Sequence, residues 1–310
     1  MPFAGAERVL AVGIGGGGDC VGACATALHA RAAGASVVVG GLTWERRPVD
    51  PLPGPRLLSE LVDAPAVLND AVAMCGPTTA GPGGFTFAEA HLSRVLGEQT
   101  VLVDVNVGAR AVADGLADAA DTLGCDTIAL VDVGGDVLAH GDEPGLASPL
   151  ADAVMFAAGR HLQKGGRRVV GTVFGAGCDA ELTPVEVMAR VSEVAARGGW
   201  IGTCGLAPSE VEWLESLVAE VPTEASLMAL RCARGRTGRQ TIRQGRRTVD
   251  LTPMGALSFY VDPTIALATA ARLADAVADA PSLTDANAIL HRLGVCSELD
   301  YELDMAKQTT

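Results

Sequence analysis

A three-layer, doubly wound α/β fold with a mainly parallel sheet is predicted for this chain by three features of its 310 residues. Short apolar runs alternate with Ala- and Leu-rich helical patterns. The runs are continuously apolar rather than alternating, as strands covered on both faces require. The first of them feeds four consecutive glycines that open a helix, the arrangement of a ligand-cradling βαβ unit.

The strand candidates are 9–12, 36–39, 100–103, 127–131 and 168–174, and the helical patterns between or after them fall at 22–33, 109–123, 149–162 and 184–197. This alternation defines an expected ligand-binding core over residues 1–206. The rhythm breaks between Gly40 and Gly84, where WERRPVDPLPGPR and CGPTTAGPGG are too rich in Pro and Gly for regular structure. Such a long interruption suits a lid, a binding loop or an oligomer contact. After Leu206 the pattern changes. Residues 208–221 read as an amphipathic helix, 231–251 as a basic hairpin, and 264–278 and 284–293 as helices, so 207–310 is expected to form a smaller C-terminal α/β annex on the core.

Composition narrows the chemistry. Hydrophobic residues make up 49% and aromatic ones only 4%, so Ala, Val and Leu must fill the core in close layers. A net charge of −14 argues against nucleic acid as a partner, since a phosphate backbone rewards basic surfaces. Lysine occurs only at Lys164 and Lys307. No lysine follows the glycine loop, which excludes a Walker A phosphate loop and leaves pyridoxal phosphate chemistry without a natural anchor. The eight cysteines form no C-x-x-C pair, which argues against zinc and suits reduced thiols in a cytoplasmic protein. MPFAGAERVL has neither the basic flank nor the apolar stretch of a leader, and no run approaches the ~18 apolar residues of a membrane span.

Gly13-Ile14-Gly15-Gly16-Gly17-Gly18 satisfies G-x-G-x-x-G between a strand and a helix, the context of a Rossmann-like dinucleotide loop. Gly15, Gly16, Gly17 and Gly18 are therefore candidate ligand- or phosphate-binding residues. A nicotinamide or flavin site also wants an acid at the end of the second strand, but that strand ends in Gly40-Gly41 and the nearest acid is Glu45. Asp19 sits where a diphosphate would rest, and two anions there need a cation between them. Otherwise Asp19 is an N-cap of the following helix.

A second cluster follows the strand at 127–131. Asp132, Asp136, His140, Asp142, Glu143 and Asp152 fall within 21 residues, with Gly134 and Gly135 framing the first two. In a doubly wound sheet this loop and the glycine loop should flank one crevice beyond the carboxyl ends of the strands. Neighbouring carboxylates raise one another's pKa or share a cation. Asp19, Asp132, Asp136 and His140 are accordingly the catalytic candidates, with Asp19 and Asp136 as metal ligands and Mg²⁺ as the cation. Asp142 and Glu143 read as solvated loop charges, and Asp152 as a helix cap. Asn106, just past the end of another strand, joins Glu45, Gly134 and Gly135 as candidate ligand-binding residues. Arg46 and Arg47, beside Glu45, could bring a guanidinium fork to an anionic ligand. Arg231 to Arg247 form a basic segment suited equally to solvent, a subunit contact or an anionic substrate.

Taken together, G-x-G-G-G-G-D, W-E-R and the D-x-G-G-D…G-D-E…S-P-x-x-D block resemble a family of archaeal and bacterial proteins classed as a domain of unknown function, over Val9 to about Asp262. The resemblance implies that the glycine loop and the acidic loop form one site. The expectation from the residues is a small-molecule metabolic or biosynthetic enzyme binding a phosphorylated or nucleotide-like substrate. Its reaction is group transfer or hydrolysis, assisted by carboxylates and a metal, in a cytoplasmic homo-oligomer. The alternatives are an NAD(P)- or flavin-dependent oxidoreductase and a non-catalytic sensor of a polyol or amine.

Overall fold

The computed structural model describes residues 2–221 and 223–309. Five parallel strands make its centre: β1 (Arg8–Gly13), β2 (Ser36–Leu42), β5 (Thr100–Val103), β6 (Thr127–Val133) and β7 (Arg168–Phe174). They lie in the spatial order β5-β2-β1-β6-β7, which is third, second, first, fourth, fifth among themselves, the Rossmann order. Chain order therefore reverses between β1 and β6. Their carboxyl ends, where the glycine loop and the acidic loop begin, are neighbours.

Alternate residues of each central strand enter opposite cores. Leu10 and Val12 of β1 pack with α3 (Gly108–Leu123) and α4 (Pro149–Lys164), while Val9 and Ala11 pack with α1 (Asp19–Ala32). Both faces of β1 are buried, which is why its sequence carries no polar alternation. Each fully buried Val or Leu contributes roughly 1.5–3 kcal/mol.

The sheet extends to nine strands. On one side the interrupted region supplies β3 (Ala66–Val67) and β4 (Val72–Cys75), antiparallel to each other, with β4 antiparallel to β5. The two Pro/Gly-rich runs are largely irregular, with one 3-10 turn at Pro82–Gly84, but the stretch between them forms the two short strands, the second ending at Cys75. It is followed by α2 (Ala88–Leu96). On the other side, β8 (Trp200–Gly205) forms the edge.

Residues 207–310 do more than lie on the core. After α5 (Pro184–Ala196) and β8 come α6 (Pro208–Glu220), α7 (Glu224–Ala233) and the basic hairpin of β9 (Gly238–Ile242) and β10 (Arg247–Leu251). Then β11 (Leu257–Val261) inserts between β7 and β8, antiparallel to both, so the C-terminal third completes the sheet. The helix expected over 264–278 is broken into α8 (Pro263–Leu267) and α9 (Arg272–Val277). At the break the Thr269 hydroxyl donates back to Ile265 O at 2.8 Å and Ala266 O at 3.3 Å, competing with the helical ladder. The chain ends with α10 (Leu283–Arg292) and α11 (Glu298–Thr309), and no helix among the described residues is long and apolar enough to cross a membrane.

Candidate functional site

The glycine loop is held around a carboxylate of its own chain. Asp19 is not the N-cap of α1: Gly18 holds that position and no side chain caps the helix. The Asp19 side chain instead folds back, and its Oδ2 accepts the Gly15 N–H at 3.0 Å. A methyl group on Gly15 would lie 2.5 Å from Asp19 Oδ2 and 3.2 Å from Asp152 Oδ2, so only glycine lets both acids approach. Of the other loop positions, Gly17 N–H donates to Trp44 O at 3.0 Å, Gly16 abuts the same carbonyl, and Gly18 is covered by Thr223.

Asp132 ends β6 next to β1, and Asp152 projects from the first turn of α4. One carboxylate oxygen from each of Asp19, Asp132 and Asp152 lies within 4.8 Å of the other two. Asp132 and Asp152 are 1% and 3% exposed, yet Asp132 Oδ2 and Asp152 Oδ1 have no hydrogen-bond partner. A buried carboxylate oxygen without a donor is costly. Burial raises the pKa of Asp19 to about 7, opposed by the Gly15 N–H and the Arg46 charge. Asp132 and Asp152 are pushed well above the usual carboxylate range, first by burial and then by each other's neighbours in the triad.

Asp136 adjoins the triad at Asp132 and Asp152. It groups with Asp179 and Glu181 from the loop after β7, again with oxygens within 4.8 Å. Burial, reinforced by Asp152 and Glu181, raises Asp136 well above its ordinary value, and burial plus Glu181 raises Asp179 to about 8. Glu181 is tied down by the Ala147 and Ser148 amides at 2.7 and 2.8 Å. Gly134 makes room for this group, since a methyl there would meet the Asp179 carboxyl at 2.2 Å. The neighbouring Gly135 adopts φ +114° as the turn passes over Val187.

The remaining candidates are distributed around these six acids. Arg46 lies under the loop, donating to Gly15 O, pairing with Glu298 at 3.4 Å and stacking over Trp44. Arg47 turns away to Pro51 O. Glu45 accepts the Ala88 N–H at the start of α2 through Oε1 at 2.5 Å, while its Oε2 lies 3.8 Å from where a Gly17 side chain would start. Asn106 stitches the β5 turn to the long loop through Pro55 O and Asp104. His140 pairs with Glu193 at 2.9 Å, in a network with Arg190 and Glu143, and clusters with Asp142 and Glu143 within 4.8 Å, apart from the two groups above. Glu143 is buried rather than solvated, because it accepts the His140 and Gly141 amides.

Comparison with protein families gives a match to the model described as "Protein of unknown function (DUF1152)" over residues 10–306. The chain belongs to this family. No curated protein and no solved structure matches it. For this DUF1152 chain the match runs from β1 into α11 and so takes in every acidic residue of the two groups.

Sequence reasoning missed Asp152 as a member of the triad and Glu298 and Glu302 as its supports. Glu298 accepts the Leu150 and Ala151 amides at 3.1 and 2.9 Å, capping α4 from the far end of the chain. Glu302 accepts from Trp44 Nε1 at 3.0 Å and Gly54 N at 2.8 Å. The available signal was the i,i+4 spacing of two acids on one helical face in SELDYEL.

Proposed function

We propose that this protein is a divalent-cation-dependent enzyme acting on a phosphorylated or nucleotide-like small molecule by group transfer or hydrolysis, with the cation held by Asp19, Asp132 and Asp152. The observation that carries the reading is the buried triad with two oxygens lacking any donor. Hard cations such as Mg²⁺ take carboxylate oxygens, and a bound cation would reverse the mutual repulsion of the three acids. Such an ion polarises a phosphoryl oxygen or activates water. Asp136 and Asp179, with raised pKa values beside the triad, are suited to hold a proton near neutral pH and pass it to a leaving group.

Because the Gly15 and Gly17 amides are already taken by Asp19 and Trp44, the loop supports a carboxylate more than it offers a phosphate cradle. A phosphorylated ligand would then be held through the cation. The same fact favours a second reading, in which the acids bind an organic cation such as a polyamine directly. Calorimetric titration of metal-free protein with Mg²⁺ and Mn²⁺, beside Asp132→Asn, tests the choice. Saturable binding lost in the variant is the expected result. Wild-type protein that binds spermidine but neither metal overturns the cation site in favour of the second reading.

A further inference from the structure

The six carboxylates of the two groups need a positive partner on the substrate side as well as a cation, and Arg46 is already bound to Gly15 O and Glu298. The basic hairpin offers one. Next to its turn, where Arg247 pairs with Ile242, the hairpin is anchored over the acid-bearing loops: Arg247 donates to Gly145 O at 2.9 Å and to Ala180 O at 3.3 Å. A cavity of about 160 Å³ lies beneath it, lined by Glu181, Thr183, Thr248 and Asp250. Its tip is anchored beside the glycine loop. The Arg243 N–H donates to both oxygens of Glu224 at 2.9 Å, and the preceding Thr223 is the residue packed on Gly18.

At that tip Arg243 and Gln244 have φ of +54° and +56°, a region that favours glycine. The side chain of Arg243 is 45% exposed and makes a long ion pair with Glu224 at 3.9 Å. The guanidinium therefore stays half open to solvent at the hairpin tip, and its charge is felt weakly at the Asp19 carboxyl.

We infer that Arg243 is the specificity residue for the anionic end of the substrate, gripping a phosphate or pyrophosphate group while the cation on the Asp19 triad takes its other side. This rests on the cation reading above. It names what the hairpin is for: a planar fork matched to two phosphate oxygens, mounted on a strap that spans the glycine loop and the acidic loops.

The test uses the full chain with Mg²⁺ and inorganic pyrophosphate as probes, comparing wild type, Arg243→Ala, Arg243→Lys and Arg239→Ala by calorimetry. Arg239 is on the same hairpin, exposed and paired with Asp250 at 3.6 Å, and controls for the general basic field. The expected result is pyrophosphate binding weakened about tenfold or more in Arg243→Ala, a smaller loss in Arg243→Lys, and none in Arg239→Ala, with Mg²⁺ affinity kept in all. Equal losses in Arg239→Ala and Arg243→Ala overturn the inference, as does wild-type affinity in Arg243→Ala. Wild type that binds Mg²⁺ but not millimolar pyrophosphate overturns it while the cation reading stands. Pyrophosphate binding that needs Arg243 but not Mg²⁺ overturns the cation reading and, with it, the bridged arrangement inferred here.

Discussion

Asp19 Oδ2 accepts the Gly15 N–H at 3.0 Å, so the anion in this glycine loop belongs to the protein itself. The loop that resembles a phosphate cradle places a carboxylate 2.5 Å from where a Gly15 side chain would start, and a second, that of Asp152, close behind it. What the backbone approaches at Gly15 is therefore a carboxylate of the chain itself.

Gly15→Ala should disrupt the triad. The added methyl would lie 2.5 Å from Asp19 Oδ2 and force that carboxylate to rotate off the Gly15 N–H it accepts. Overpacking of this kind costs about 1–3 kcal/mol. Chemical denaturation should register that loss, and calorimetry should show Mg²⁺ affinity falling at least as far as in Asp19→Asn; a variant with wild-type affinity would show that Asp19 has no part in the site.

Asp132→Asn should separate stability from function. Removing one buried acid relieves repulsion from Asp19 and Asp179, so the metal-free variant should be more stable than wild type at pH 8, by about 1–2 kcal/mol. It should also lose the thermal upshift that Mg²⁺ produces in wild type. Thermal unfolding with and without the metal measures both.

Metal-free stability should fall as pH rises. Asp19 and Asp179 have ordinary values of 3.8 and folded values of about 7 and about 8. An acid whose folded pKa is raised keeps its proton longer in the native state, so its contribution is fully present below about pH 4 and is lost as pH passes through 7 to 8. Acids lowered by partners, such as Glu143 and Glu193, act in the opposite sense at low pH. Urea midpoints should peak near pH 5 and drop by pH 8, and saturating Mg²⁺ should flatten the drop. A metal-free midpoint that rises between pH 5 and pH 8 would contradict the buried-acid account.

Glu298→Gln should weaken the site from a distance. The carboxylate caps α4 and pairs with Arg46 at the same time, and breaking a buried pair on one side costs about 3–5 kcal/mol. The amide can keep one α4 contact, so the loss should be smaller than in Glu298→Ala. Hydrogen exchange at Leu150 and Ala151 should accelerate in both variants, and Mg²⁺ affinity should decline as Asp152 loosens.

Much of the fold is legible along the chain, because it is written in local patterns. The continuous apolar runs at 9–12, 127–131 and 168–174 need cover on both faces, and a parallel sheet with helices on either side is the arrangement that gives it. That the glycine loop and the Asp132 loop share a rim follows as well, since parallel strands place all their carboxyl ends together. The membership of the site does not follow. Whether Asp132 faces Asp19 or Asp136, and whether Asp152 caps a helix or points inward, depends on side-chain directions set by packing across 20 or more residues of intervening chain.

The long-range supports were still less accessible. Glu298 meets Ala151 across 147 residues, and β11 enters the sheet between β7 and β8 out of chain order. Periodicity and turn chemistry act over a few residues, so they specify the layered α/β architecture and the rim shared by the glycine loop and the acidic loop. Which acids converge and which histidine pairs apart from them emerge only in three dimensions, where burial strips carboxylates of water and leaves them to their neighbours.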